Sequence, residues 1–326
     1  MKTRLKAAIL AGSMPNFSEE GPEIYRKCAE GLRGEAERLC VDLTVFDDIL
    51  MNPGQAARAR KTLDEGEFDL AILFHPTYIV GDTVLELMKT RAAVGLWAVP
   101  EPEPDGALPL ASLVCLNQNT SIASHYLKNR PVKWFFGNAE DAGFIRRFEI
   151  TAGALKAVKA LRGARVAQLG RTAPGFLDMT YDESELYNNL GVQTVKGIDI
   201  EDILAVGDKL DDSAVEKELR DLLDKCASTD FGRPKMEDVA RLHLAARKIC
   251  EDERLDAMAF SCWPKLGDLR GMKPCVATAM LDGMGIPASC EGDMLSAISM
   301  LALQAMGSCS TAVMDLPAFD FSDDTL

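Results

Sequence analysis

The sequence has 326 residues and a formal charge of −14, with 47% hydrophobic and 26% charged residues, an ordinary globular balance with length enough for two cores. An acidic surface repels a phosphate backbone, so no nucleic acid is expected as a partner. No apolar run approaches the ~18 residues of a membrane span, so no membrane partner is expected either.

In chain order, "MKTRLKAAILAGS" pairs a basic flank with a short apolar core and reads as a first strand feeding a glycine turn rather than a signal peptide. The runs "VDLTVF" (41–46), "FDLAILF" (68–74), "AVGLWAV" (93–99), "ASLVCL" (111–116) and "VKWFFG" (132–137) read as buried strands. Amphipathic segments at 22–38, 55–65, 83–90 and 120–128 separate them, and "VPEPEPDGALP" (99–109) is a turn-rich loop because its prolines forbid ladder pairing. After a helical run at 139–162 a second unit begins. "ARVAQLG" (164–170), "GVQTVKGI" (191–198), "DAMAFSCW" (256–263) and "STAVMDL" (310–316) are its expected strands, with helices at 199–206, 212–228 and 235–252. The alternation predicts an α/β fold of two Rossmann-like domains, residues 1–160 and 161–326, each a parallel sheet flanked by helices.

Nine cysteines are spread irregularly, with no C-x-x-C pair. That argues against a zinc ribbon or a thioredoxin-like motif and suits reduced thiols in a cytoplasm. In doubly wound sheets ligands bind beyond the carboxyl ends of the strands. His75, Asn117, Arg171, Lys265, Glu291 and Asp293 all fall in segments expected there.

Most of these residues also have plain structural readings. "LGRTAPGF" (169–176) is neither G-x-G-x-x-G nor a P-loop, and its glycines suit a strand-to-loop turn. His75 suits a hydrogen-bonded structural residue, and Asn117 and Asn119 suit either sugar hydroxyls or a turn. Three scattered histidines give little support to a Ser-His-Asp site. In "ASCEGDMLSAISM" (288–300), Asp293 precedes an apolar helical stripe and suits an N-cap. Glu291 is not explained by a cap. If 291–293 are extended, both carboxylates point to one face and suit a hard divalent cation; if the helix includes them, they diverge.

The segment "SCWPKLGDLRGMKPCVATAMLDGMGIPASCEGD", with "GLWAVPEPEPDGALPLASLVCLNQNTS" and "LGRTAPGF" before it, resembles the L-fucose isomerase family and its fucose/arabinose isomerase-like relatives. The resemblance covers most of the chain in the right order. It implies aldose–ketose isomerisation of a monosaccharide or modified sugar through an ene-diol, with a divalent metal, Mn²⁺ by preference, on Asp293. It further implies proton transfer near Glu291, Lys265 and Asp268, with Asn117, Asn119, His75 and Arg171 as sugar-binding candidates. Where relatives commonly carry an acid after Cys-Trp-Pro, this chain has Lys265, with Asp268 the nearest substitute and an anionic substrate group as the lysine's other possible partner. The family continues into a further domain bearing a metal-ligating histidine, so residues 1–326 are expected to be weak or inactive alone. A homo-oligomer is implied as well. The competing expectation is a non-catalytic sugar-binding module on the same fold.

Overall fold

The computed structural model describes residues 3–14, 19–103, 105–128, 130–225, 228–308, 310–315, 318 and 320–322. Contacts divide the chain into two compact units, Lys2–Lys156 and Ala157–Leu326.

The first unit holds five parallel strands, β1 (Leu5–Gly12), β2 (Val41–Leu50), β3 (Leu70–His75), β4 (Ala93–Ala98) and β5 (Val132–Phe136), in the order β2-β1-β3-β4-β5. β1 and β3 are buried almost throughout because helices cover both faces of the sheet. Ala7, Ile9 and Ala11 face one core with α1 (Gly21–Arg38) and the first part of α5 (Ala142–Leu161), where Phe144 stacks on Trp97 at 4.3 Å. Ala8 and Leu10 face the other core with α2 (Pro53–Glu65), α3 (Gly81–Leu87) and α4 (Ser112–Tyr126). The division between units falls within α5.

The second unit holds a four-stranded parallel sheet of β6 (Arg165–Leu169), β7 (Gln193–Ile198), β8 (Ala257–Phe260) and β9 (Ala288–Ser289), ordered β7-β6-β8-β9. α7 (Ile200–Asp208), α9 (Arg233–Glu253) and α11 (Cys275–Gly283) cover the face bearing Leu169, Met258 and Phe260. α6 (Glu183–Leu190) and α12 (Met294–Met306) cover the face bearing Val166, Ala257 and Ala259. α8 (Asp212–Lys225) packs on α9 as a satellite through Val215, Leu219 and Leu222. The short α10 (Lys265–Arg270) follows β8. Among the described residues, no helix is long and apolar enough to cross a membrane.

The α/β expectation holds, with two segment-level corrections. "ASLVCL" (111–116) is not a strand: it opens α4, because a short apolar run has the same periodicity in a buried strand and a buried helix. Asn117 and Asn119 therefore sit within a helix, not in a loop after a strand. The segment 310–315 has no strand, and Leu316 lies outside the described residues. Thr311 is instead bound by the buried carboxylate of Asp282, which accepts from its N–H at 2.9 Å and its hydroxyl at 3.0 Å. The fourth strand is β9, two residues long.

Candidate functional site

In the order β7-β6-β8-β9 the chain reverses its direction of winding between β6 and β8, and a crevice opens beyond the carboxyl ends of two such strands. A cleft of about 340 Å³ lies there, lined by Arg171, Thr172, Asp199, Trp263, Lys265 and Asp268 among others. Gly170 makes the approach of the two strand ends possible: its φ is +84°, and a Cβ would stand 2.7 Å from the Ser261 Cβ. Only glycine satisfies both conditions.

Three of the sequence candidates meet in this cleft. Arg171 is exposed, and its guanidinium has no hydrogen-bond or ion-pair partner among the described residues. Lys265 opens α10, and its Nζ lies 2.5 Å from Oε2 of Glu201 in the first turn of α7. That hydrogen bond holds the Glu201 carboxyl below its usual range. Asp268, one turn along α10, is exposed at the same rim. Trp263 is 46% exposed, presenting an indole surface beside these charges. Trp263, Thr172, Asp199 and Glu201 had not been singled out from the sequence. Trp263 was visible in "SCWP", but Glu201 acquires meaning only once α7 is known to start at the carboxyl end of a neighbouring strand.

Glu291 and Asp293 occupy the turn between β9 and α12. Glu291 has φ +59° and Gly292 φ +72°, so the segment is a tight turn and not the extended stretch that would put both carboxylates on one face. The turn is fixed on several sides. Gly292 N–H donates to Phe260 O at 3.1 Å, Gln168 Nε2 to Gly292 O at 3.0 Å and Ser289 Oγ to Asp293 O at 2.7 Å. Asp293 is the N-cap of α12: Oδ1 accepts from Ser296 N–H at 3.0 Å and Oδ2 from Ser296 Oγ at 2.5 Å. Among the described residues, no three His, Cys, Asp or Glu side chains are grouped to hold a metal ion. A single carboxylate already engaged at both oxygens does not fit the Mn²⁺ centre that the resemblance implies, since such a cation takes several oxygen or imidazole ligands.

The first-unit candidates lie elsewhere. His75 ends β3 with 0% exposure. Its Nδ1 lies 3.1 Å from Leu73 O and 3.3 Å from Trp97 O, and its Nε2 lies 3.2 Å from Asn119 Nδ2. These contacts fit an Nδ1–H tautomer that donates to carbonyls and accepts from the amide. Burial lowers the His75 pKa to about 4, so the ring is neutral at physiological pH. Asn119 is likewise buried, whereas Asn117 is exposed on the other side of α4. None of the three lines the cleft of the second unit.

No family model matches the sequence. The chain is similar to the sulfoquinovose isomerase of Priestia aryabhattai, 24% identical over 292 residues that cover 89% of this chain and 64% of the relative. It is also similar to the sulfoquinovose isomerase of Alkalicoccus urumqiensis, 26% identical over 213 residues covering 65% of this chain and 47% of the relative. The chain thus spans less than two thirds of the length of these curated relatives, which are named as sugar isomerases. Among solved structures, a carbohydrate transporter from Acidothermus cellulolyticus 11B in complex with myo-inositol aligns over 95% of this chain and 91% of that chain. The identity is 11% and the TM-score 0.25, a score at which the likeness carries no argument.

Proposed function

We propose that this chain contributes the sugar-binding cleft of an aldose–ketose isomerase acting on an anionic modified sugar, a monosaccharide bearing a sulfonate. The observation that carries the reading is the cleft at the β6/β8 switch point, where Arg171 and Lys265 stand beside the exposed ring of Trp263. The similarity to proteins named sulfoquinovose isomerase supports it.

Each side chain has a role that follows from its chemistry. Arg171 and Lys265 donate charge-assisted hydrogen bonds to the sulfonate oxygens. The Trp263 indole covers an apolar face of the sugar ring and excludes water there. Asp199 and Thr172 accept from ring hydroxyls. Isomerisation moves a proton between adjacent carbons, and Asp268 is the rim carboxylate that takes it as general base. Glu291, on the neighbouring turn, is the second candidate for that role. The proposal carries with it the L-fucose isomerase-like relationship and the homo-oligomer that the sequence resemblance implies. No step is assigned to a metal ion, because the described donors do not make a site for one.

The test compares sulfoquinovose with quinovose, the same sugar without its sulfonate, using the native full-length enzyme and its Arg171→Ala and Lys265→Ala variants. Each substitution is expected to lower kcat/KM for the sulfonated sugar by more than about tenfold, as loss of a hydrogen bond to a charged group does, with little change for quinovose. Equal losses on both sugars would sink the anionic assignment. Binding of the sugar by the full-length protein without ketose formation would replace catalysis with the non-catalytic reading.

A further inference from the structure

Beside the β9–α12 turn, Cys275 and Cys290 line one small cavity of about 120 Å³, room for only a few water molecules. Cys275 is the first residue of α11 and is exposed; Cys290 follows β9 and is half-buried; both are free thiols. A third thiol, Cys262, is buried nearby. The three do not form a metal-binding group. Burial, then the charges of Glu291, Cys262 and Cys275, pushes the Cys290 pKa up to about 11. Cys290 is therefore a protonated, shielded sulfur, while Cys275 meets solvent at the start of a helix. An accessible thiol that reacts first and a sheltered partner across the same cavity divide the labour as redox-sensing pairs do.

We propose that Cys275 and Cys290 are a peroxide-sensitive pair, converted by hydrogen peroxide to a disulfide that fixes the start of α11 to the β9–α12 turn. The Cys275 sulfur, as thiolate, attacks one peroxide oxygen; the O–O bond breaks, and the departing hydroxide takes up the thiol's proton and leaves as water. Cys275 then carries S–OH. The Cys290 sulfur attacks the Cys275 sulfur, the S–O bond breaks, and a second water leaves with the Cys290 proton. Two thiols are oxidised and one peroxide is reduced to two waters.

The link reaches the cleft through a short path. Cys290 O accepts from Asp293 N–H at 3.1 Å, closing the turn that contains Gly292. Gly292 packs against the backbone of Arg171 and Thr172. Pulling Cys290 toward α11 shifts that turn and with it the Arg171 loop. Resting on the reading of the cleft as the sugar site, oxidation lowers sugar affinity.

The native full-length protein is treated with hydrogen peroxide, and its thiols are counted before and after addition of dithiothreitol. Cleavage before Asp268, Asp282 and Asp293 separates the three cysteines, so non-reducing mass spectrometry identifies the partners. The expected result is reversible loss of a pair of thiols and a linked 268–281/282–292 peptide, absent from Cys275→Ser and from Cys290→Ser. Should the Cys290 variant fail to fold, the exposed Cys275→Ser carries the comparison. A link to Cys262, or Cys275 oxidised to sulfinate with Cys290 unmodified, overturns the proposal. Disulfide formation without change in sugar affinity leaves the pair standing and refutes its coupling to the Arg171 loop, whereas the Arg171→Ala and Lys265→Ala comparison decides the cleft's role in sugar binding separately.

Discussion

Gly292 lies so close to the Arg171 backbone that a Cβ on it would stand 3.0 Å from the Arg171 carbonyl oxygen. The same residue holds φ +72°, a conformation that disfavours side chains. Gly292→Ala therefore meets a conformational cost and a contact at once. A destabilisation of about 1–3 kcal/mol is expected, read as a lower urea midpoint. Sugar affinity should fall with it, because the Arg171 loop must move to admit the methyl group. Wild-type stability in this variant would show that the turn relaxes freely and does not position the cleft.

Lys265 and Glu201 give a second prediction. Their side chains are 44% and 52% exposed, so water screens the pair and its loss should leave the melting temperature within error. Glu201 nonetheless competes with any anion for the Lys265 ammonium. Glu201→Gln is expected to lower KM for a sulfonated sugar about two- to fivefold, the scale of an exposed ion pair, and to leave the neutral sugar unchanged. An increase in KM would mean that Glu201 orients the lysine instead of occupying it.

The strands that could be read from the sequence were those buried on both faces, such as Leu70–His75, where every residue is covered and all but the terminal histidine are apolar. The same signal failed at 111–116. There Cys115, Asn119 and Ala123 form one buried stripe at helical spacing while Leu113 and Val114 are about half exposed. The strand Ala288–Ser289 is too short to leave any pattern, and the 310–315 segment is attached by the Asp282 side chain rather than by a ladder. At the cleft, Arg171 and Lys265 could be placed because each follows a strand in sequence, while Asp268 came only from the family resemblance, as the nearest substitute for an acid. Glu201 and the redox pair were not, because their meaning depends on which strand ends become neighbours. Asp293 showed its capping role plainly; the two geometries open for Glu291, extended or within the helix, are both replaced by a turn with two consecutive positive-φ residues.

His75 supplies a pH dependence with a defined sign. Burial depresses its folded pKa to about 4, against an ordinary value of about 6.5. Protonation then favours the unfolded chain. The His75 contribution to stability is fully present above pH ~6.5 and is lost as pH falls from there toward about 4, amounting to about 2 kcal/mol by pH 5. His75→Gln should flatten the stability-versus-pH curve in this window, even though it lowers stability at pH 7.5. His243, also depressed by burial, acts equally in both proteins and cancels in the difference. Parallel curves for wild type and variant would refute the buried neutral histidine.

Asp293 separates a structural carboxylate from a metal ligand. As an N-cap its side chain accepts from Ser296 N–H, and an asparagine oxygen accepts equally well. Asp293→Asn is therefore expected to keep the wild-type urea midpoint, whereas Asp293→Ala should lose about 1 kcal/mol. A bound cation gives a different signature. A ligand that binds only the folded state raises its stability as concentration exceeds the dissociation constant, and removing the carboxylate charge from its site abolishes the rise. Residues 1–326 are expected to show no Mn²⁺-dependent stabilisation, because among the described residues no group of three His, Cys, Asp or Glu side chains gathers at Asp293 to hold a metal ion. A rise in melting temperature with added Mn²⁺ that disappears in Asp293→Asn, while the cap itself is retained, would show that this turn rearranges to take a metal.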